Sequence, residues 1–151
     1  MKLAHVLIAK SISETILVAA LVVAFYFWTF PPSFKGWGEV QPHAISGWVV
    51  NQFSPFERVE VQLFVDGEFV AGGRADLSRP DVVEAGWARD EWHGYTLSVA
   101  SLRPGSHLAR VYALHTSGGG TRQSLLLVGD PLLIDVDEAG VLHKPTIVRM
   151  R

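Results

Sequence analysis

Four consecutive residues, Asp90-Glu91-Trp92-His93, gather two carboxylates, an indole and an imidazole, the side chains of general acid–base chemistry. Such chemistry needs groups that face one another with shifted pKa values, which neighbours on one loop rarely supply. The preferred reading is a solvated loop before a strand, with Trp92 covering a sheet edge and His93 bonded to backbone where Gly94 permits close approach. No nucleophile–base motif accompanies the quartet, so no catalytic residues are expected. Six histidines invite a metal hypothesis, but His5, His43, His93, His107, His115 and His143 are scattered without zinc spacing. His107 and His115 share parity on one strand yet stand roughly 26 Å apart at the rise of an extended chain, too far for one ion. The Ser117 to Gly120 run lacks the Lys/Ser continuation of a phosphate cradle. Neither metal nor cofactor is expected.

Aromatic residues offer a second kind of chemistry, stacking. Trp87, Trp92 and Tyr95 are close in sequence and conceivable as a sugar platform, although aromatics in a small sandwich are more often core. Phe64 and Phe69 flank Asp66-Gly67, a dipeptide suited to the positive φ angles of a type I′ hairpin, and a two-residue loop sets them face to face. The candidate ligand-surface residues are therefore Phe64, Phe69, Trp87 and Trp92.

The elements that must position these residues read as β-strands. Arg58 to Val65 alternates strictly, with Val59, Val61, Leu63 and Val65 on one face and Glu60 and Gln62 on the other. Further strands are expected at Glu39 to Gln41, Ala44 to Val50, Glu68 to Ala75, Gly94 to Ala100, His107 to His115, Arg122 to Val128 and Leu132 to Val136, at the turn spacing of a sandwich or barrel. Between Ala75 and Trp87 the pattern stops. Ser78 as N-cap, Pro80 in a first turn and Gly86 as terminator predict a short helix there. Pro31 to Gly38, with its Pro, Gly and Ser residues, reads as a linker and 138–151 as a tail.

Ahead of these strands stands an apolar run, Ile12 to Phe30, with no charge, Gly or Pro after Glu14. At 1.5 Å per residue it covers roughly 28 Å, close to the hydrocarbon thickness of a bilayer. Ser11 and Glu14 have capping-box spacing, while the apolar residues from Leu3 to Ala9 leave room for the helix to extend backwards, Pro31-Pro32 stops the helix, and Tyr26 and Trp28 suit the headgroup zone. Lys2, Lys10 and the amino terminus precede the run while only Lys35 follows closely, so the N-terminus is expected in the cytoplasm and the remainder outside it. A core ending Phe-Trp-Thr-Phe-Pro-Pro lacks a small-residue cleavage site and favours an uncleaved signal anchor over a signal peptide. Ala20 and Ala24 have the spacing of a close helix–helix approach, though lipid-facing alanine is the plainer reading.

Composition bounds the partners. The 151 residues carry a formal charge of −2 and no Cys. That leaves no disulfide or thiolate metal site, and no basic footprint for nucleic acid. Removing the run leaves enough chain for one domain with its own core.

Gly47-Trp48, Asp66-Gly67, Arg79-Pro80-Asp81-Val82, His93-Gly94-Tyr95 and Pro104-Gly105-x-His107 occur in that order. The series resembles an immunoglobulin-like sandwich module that recurs in bacterial surface and secreted proteins and beside some glycosyltransferases. Its pattern is similar to G-W-A-x-D, D-G, R-P-D-V and H-G-F, and the likeness spans about Ile45 to His115. Asn51 stands where that pattern has Asp, so no carboxylate role carries over, and Tyr95 replaces Phe. The resemblance implies an accessory binding or spacer domain without catalytic residues. The expected fold is all-β, an immunoglobulin-like sandwich preceded by one N-terminal transmembrane helix. The expected function is a module anchored in the inner, cytoplasmic membrane that binds another envelope protein or a glycan. Alternatives are a spacer or subunit of a membrane complex and, less favoured, a small hydrolase of envelope glycans.

Overall fold

The computed structural model describes residues 2–29, 33–100, 102–117 and 120–145. The chain forms two compact units, Met1–Pro31 and Pro32–Arg151. The first holds helix α1, Lys2–Thr29. Its stretch Ala4–Phe25 has a mean hydropathy of 2.1 and no part buried against protein. At 1.5 Å per residue those 22 residues cover about 33 Å, enough to cross a bilayer, a property also shared with signal sequences. The helix does not start at a Ser11–Glu14 capping box. It runs straight through Ser11, whose carbonyl accepts the Thr15 hydroxyl at 2.9 Å, while Glu14 lies 3.6 Å from Lys10. Leu3 to Ala9 contains no helix breaker, so nothing ends the helix before Lys2. The side chains of Tyr26 and Trp28 lie outside the described residues.

The second unit is a β-sandwich. Sheet A orders β1 (Phe34–Gln41), β2 (Ala44–Asn51), β6 (Trp92–Ser98) and β5 (Leu77–Ser78) as β1-β2-β6-β5. Sheet B orders β10 (Leu142–His143), β9 (Leu132–Val136), β7 (Gly105–Ser117), β3 (Glu60–Val65) and β4 (Glu68–Arg74) as β10-β9-β7-β3-β4, with β8 (Arg122–Leu127) also paired to β7. Strand alternation builds the core, as the sequence pattern predicts: Val61, Leu63, Ala109, Val111 and Ile134 point inward from sheet B, and Ile45, Val49, Tyr95 and Leu97 meet them from sheet A. The Asp66-Gly67 turn has φ of 53° and 91°, the type I′ signature, and aligns Val65 with Glu68 and Phe64 with Phe69.

Three boundaries differ from the sequence pattern. Most of the expected linker is strand: β1 pairs with β2 over its whole length, from Phe34↔Asn51 to Gln41↔Ala44. Gly36 and Gly38 read as breakers but are there for close packing. A Cβ on Gly36 would strike Val128 and the Trp48 carbonyl, and one on Gly38 would come within 2.9 Å of the Tyr95 hydroxyl. The expected tail contributes β10, because buried Leu142 needs a partner and finds Val136; residues 146–151 lie outside the described residues. Ser78 does not cap the short helix α2 (Pro80–Glu84). It lies in β5, and its hydroxyl donates to the Glu91 carboxylate at 2.9 Å.

Tyr95 ties the two glycine-rich strands together. Its hydroxyl donates to the Trp37 carbonyl at 3.3 Å, and a Cβ on Gly47 would lie 2.6 Å from that hydroxyl. Burial pushes the Tyr95 pKa up, keeping the phenol protonated as the donor this bond requires.

Candidate functional site

The Asp90–His93 quartet is a structural lock rather than an open loop. Asp90 accepts both guanidinium arms of Arg58, Nη1 to Oδ1 at 3.1 Å and Nη2 to Oδ2 at 2.8 Å, and its Oδ1 also accepts the Trp92 amide at 3.2 Å. The Arg58 hydrogen bonds, ahead of every other influence, hold the Asp90 pKa below the usual carboxylate range. His93 is wholly buried, with Nε2 3.0 Å from Asp90 Oδ1, although neither ring nitrogen completes a hydrogen bond of good geometry. Burial lowers its pKa against the opposing pull of Asp90, so the ring is held towards its neutral form. Glu91 turns away to Ser78. The two carboxylates therefore serve different partners, and both oxygens of Asp90 are spoken for. The Pro55 and Val49 backbone also acts on the His93 ring, raising its pKa more weakly than burial lowers it.

The four candidate surface residues fall on two different faces. Along β6, His93, Tyr95 and Leu97 point inward, which turns Trp92 to the outer face of sheet A, where it is 47% exposed. Trp37, opposite Trp48 in register, shares that face. A second small core of Trp48, Val50 and Val82 seats α2 upon it. Trp87 follows α2 and borders an open concavity of about 480 Å³ lined by Lys35, Gln52, Pro55 and Arg89 among others. The Lys35 ammonium lies 3.0 Å from the centre of the Trp87 ring. A cation on the ring occupies the face that a sugar would stack upon.

Phe64 and Phe69 lie on the outer face of sheet B. Their rings meet edge to face at 5.8 Å, and Tyr112 meets Phe64 in the same manner at 5.5 Å. The pair is not a second buried layer: Phe69 is 58% exposed and Phe64 is half-buried beside it. The row continues beyond the pair: Leu127 pairs with Tyr112 and Leu125 with Leu114, both leucines exposed. The result is a band of apolar side chains across β4, β3, β7 and β8. Beside it, Glu60, Gln62, Gly72, Gly73 and Arg74 border a depression of about 390 Å³.

Sequence reasoning missed Tyr112, Leu125 and Leu127 as members of this band. The signal lay in strand parity, because Tyr112 must face away from Ala109, Val111 and Ala113. It also missed a clamp at the β3–β4 turn. There Asp66 accepts the Leu108 amide at 2.9 Å and faces His107 Nδ1 at 2.7 Å, while His107 Nε2 lies 2.8 Å from the Arg103 carbonyl. Both imidazole nitrogens face acceptors, which favours the doubly protonated ring, and the Asp66 hydrogen bond foremost raises the His107 pKa. Among the described residues, no group of three or more His, Asp or Glu side chains converges as a metal site would require.

Compared with known proteins, the chain matches no family model, no curated sequence and no solved structure.

Proposed function

We propose that this is a single-pass protein of a bacterial inner, cytoplasmic membrane, with its N-terminus in the cytoplasm and an immunoglobulin-like sandwich outside it that binds another envelope protein. The observation that carries the reading is the aromatic band Phe69–Phe64–Tyr112, extended by Leu127. An exposed contiguous apolar surface marks an interaction site rather than a solvated face. Tyr and Phe in such a band supply large contact area at low entropic cost. A protein partner is favoured over a glycan because the aromatic rings pack edge to face on one another rather than offering one open flat ring for stacking, and because the Trp87 ring, which borders a concavity, is already covered by Lys35. The apolar helix supports the anchoring half of the reading, and the basic residues before it support the orientation.

Photo-crosslinking in the native envelope tests the binding half. A photoreactive residue in place of Phe69 and another in place of Leu127 should trap the same protein, and one at Thr96, on the outer face of sheet A, should not. Substituting Phe64→Ser should abolish the adduct from position 127 while leaving the sandwich folded. Equal trapping from both faces would sink the assignment of this band. External protease that spared the sandwich in spheroplasts but cut it in lysates would sink the orientation.

A further inference from the structure

The most exposed aromatic side chains of the sandwich belong neither to the band nor to the concavity. Phe53 and Phe56, at 65% and 67% exposure, project from the loop between β2 and β3. This loop is internally braced. Buried Asn51 accepts the Phe53 amide on Oδ1 at 3.1 Å and donates Nδ2 to the Glu57 carboxylate at 2.7 Å. The Ser54 amide bonds the Asn51 carbonyl and the Glu57 amide bonds the Ser54 carbonyl, at 3.1 and 2.9 Å. Two phenyl rings are thus presented on a shaped tip whose ordering is already built in.

The place of the loop says what such a tip could enter. The Gln52 amide bonds the carbonyl of Ser33 at 2.8 Å, so the loop sits at the end of the sandwich where the chain joins it. Ser33 follows Thr29, the last residue of α1, by four peptide steps, at most roughly 14 Å of contour. The same end carries Lys35 and Arg89, beside Gln52 and Pro55 in the concavity. Of the acids nearby, Asp90 is neutralised by Arg58, while Glu57 is held by the Asn51 amide and keeps its charge, so Lys35 and Arg89 leave this end with a cationic excess of one. Among the described residues neither Lys35 nor Arg89 has a carboxylate partner.

We propose that this end of the sandwich docks on the bilayer surface, Phe53 and Phe56 entering the headgroup zone and Lys35 and Arg89 facing anionic lipid headgroups. The inference rests on the reading of α1 as a membrane span. Amphipathic surfaces with apolar side chains and flanking cations bind anionic interfaces. A short tether turns that weak contact into an intramolecular one.

The chain has no native cysteine, so single cysteines can carry a nitroxide label in the full protein. The protein is reconstituted in vesicles of roughly 3:1 phosphatidylcholine to phosphatidylglycerol, a composition with an anionic surface. Three variants are compared by collision with oxygen and with a water-soluble nickel chelate: Leu17→Cys in the helix, Ser54→Cys at the loop and Glu68→Cys at the opposite end of the sandwich. The label at 17 should report the bilayer core, the label at 68 water, and the label at 54 loss of chelate access with gain of oxygen access. Adding Phe53→Ser and Phe56→Ser should return the label at 54 to water. If the label at 17 reports lipid but that at 54 matches 68, docking is wrong and the span stands. Protection at 54 that survives loss of both Phe residues also overturns docking, and assigns the loop to a protein contact. A label at 17 that reports water overturns span and docking together.

Discussion

Replacing Asp90 by Ala separates a structural lock from a reactive site, because the two make opposite demands on stability. The Arg58–Asp90 pair is bidentate, and its side chains are only 22% and 28% exposed. Exposed ion pairs contribute about 0–1 kcal/mol, and breaking a fully buried one costs about 3–5 kcal/mol. With about a quarter of each side chain still reaching solvent, about 2 kcal/mol is appropriate for the pair. Losing the acceptor of the Trp92 amide adds about 0.5–1 kcal/mol. Asp90→Ala should therefore destabilise the sandwich by about 2.5–3 kcal/mol, a large share of the roughly 5–15 kcal/mol typical of a folded domain. At about 4 °C per kcal/mol for a domain of this size, Tm falls by roughly 10–12 °C. Urea unfolding in detergent micelles, followed by tryptophan fluorescence, measures the change. Arg58→Ala and the double variant complete a cycle whose coupling should be about 1–2 kcal/mol. A loss below about 0.5 kcal/mol, or a coupling near zero, would refute the lock and return Asp90 to the ordinary surface.

Two further outcomes follow from the same structure. Stability should respond to pH through two histidines of opposite sign: His107, with its pKa raised, stabilises below its unfolded value and loses that contribution as pH rises through the folded one. His93, with its pKa lowered, stabilises above its unfolded value and loses that contribution as pH falls through the folded one. Melting curves across pH should show both limbs, and His107→Gln should flatten the alkaline limb alone; an unchanged alkaline limb in that variant contradicts the clamp. Gly47→Ala should cost about 3 kcal/mol or more, because the new methyl meets the Trp37 carbonyl as well as the Tyr95 ring. Removing the hydroxyl with Tyr95→Phe relieves only part of the conflict, so a double variant as stable as the wild type would contradict the packing.

How far the sequence foretells this molecule depends on whether a residue's neighbours are local. The Asp66-Gly67 turn and the Phe64↔Phe69 pairing were legible because two-residue hairpins fix register by turn geometry alone. The alternation of Val59, Val61, Leu63 and Val65 was legible for the same kind of reason, a period of two written in one strand. Gly36 and Gly38 misled because a glycine reads as a breaker until the side chain that needs its space is known. Here those are Val128 and Tyr95, distant in sequence. Ser11 and Ser78 misled because capping competes with whatever else can satisfy the backbone, continuing helix in one case and pairing with β6 in the other.

The candidate site shows that boundary most sharply. Asp90-Glu91-Trp92-His93 read as one solvated loop before a strand, but alternation and long-range pairing scatter its members. Trp92 turns to the outer face of sheet A, His93 to the interior, Asp90 to Arg58 across 32 positions, and Glu91 to Ser78 across 13. Proximity in sequence was the wrong measure, because neighbouring residues in a strand face opposite ways. The aromatic band has the converse character. Phe69, Phe64, Tyr112 and Leu127 are spread over four strands, yet a single rule, parity against the alanine and valine stripe of β7, places them on one face. A surface assembled in that way is fixed by the sheet as a whole. Function read from it therefore depends on strand register, and a one-residue slip of β7 would turn Tyr112 inward and end the band.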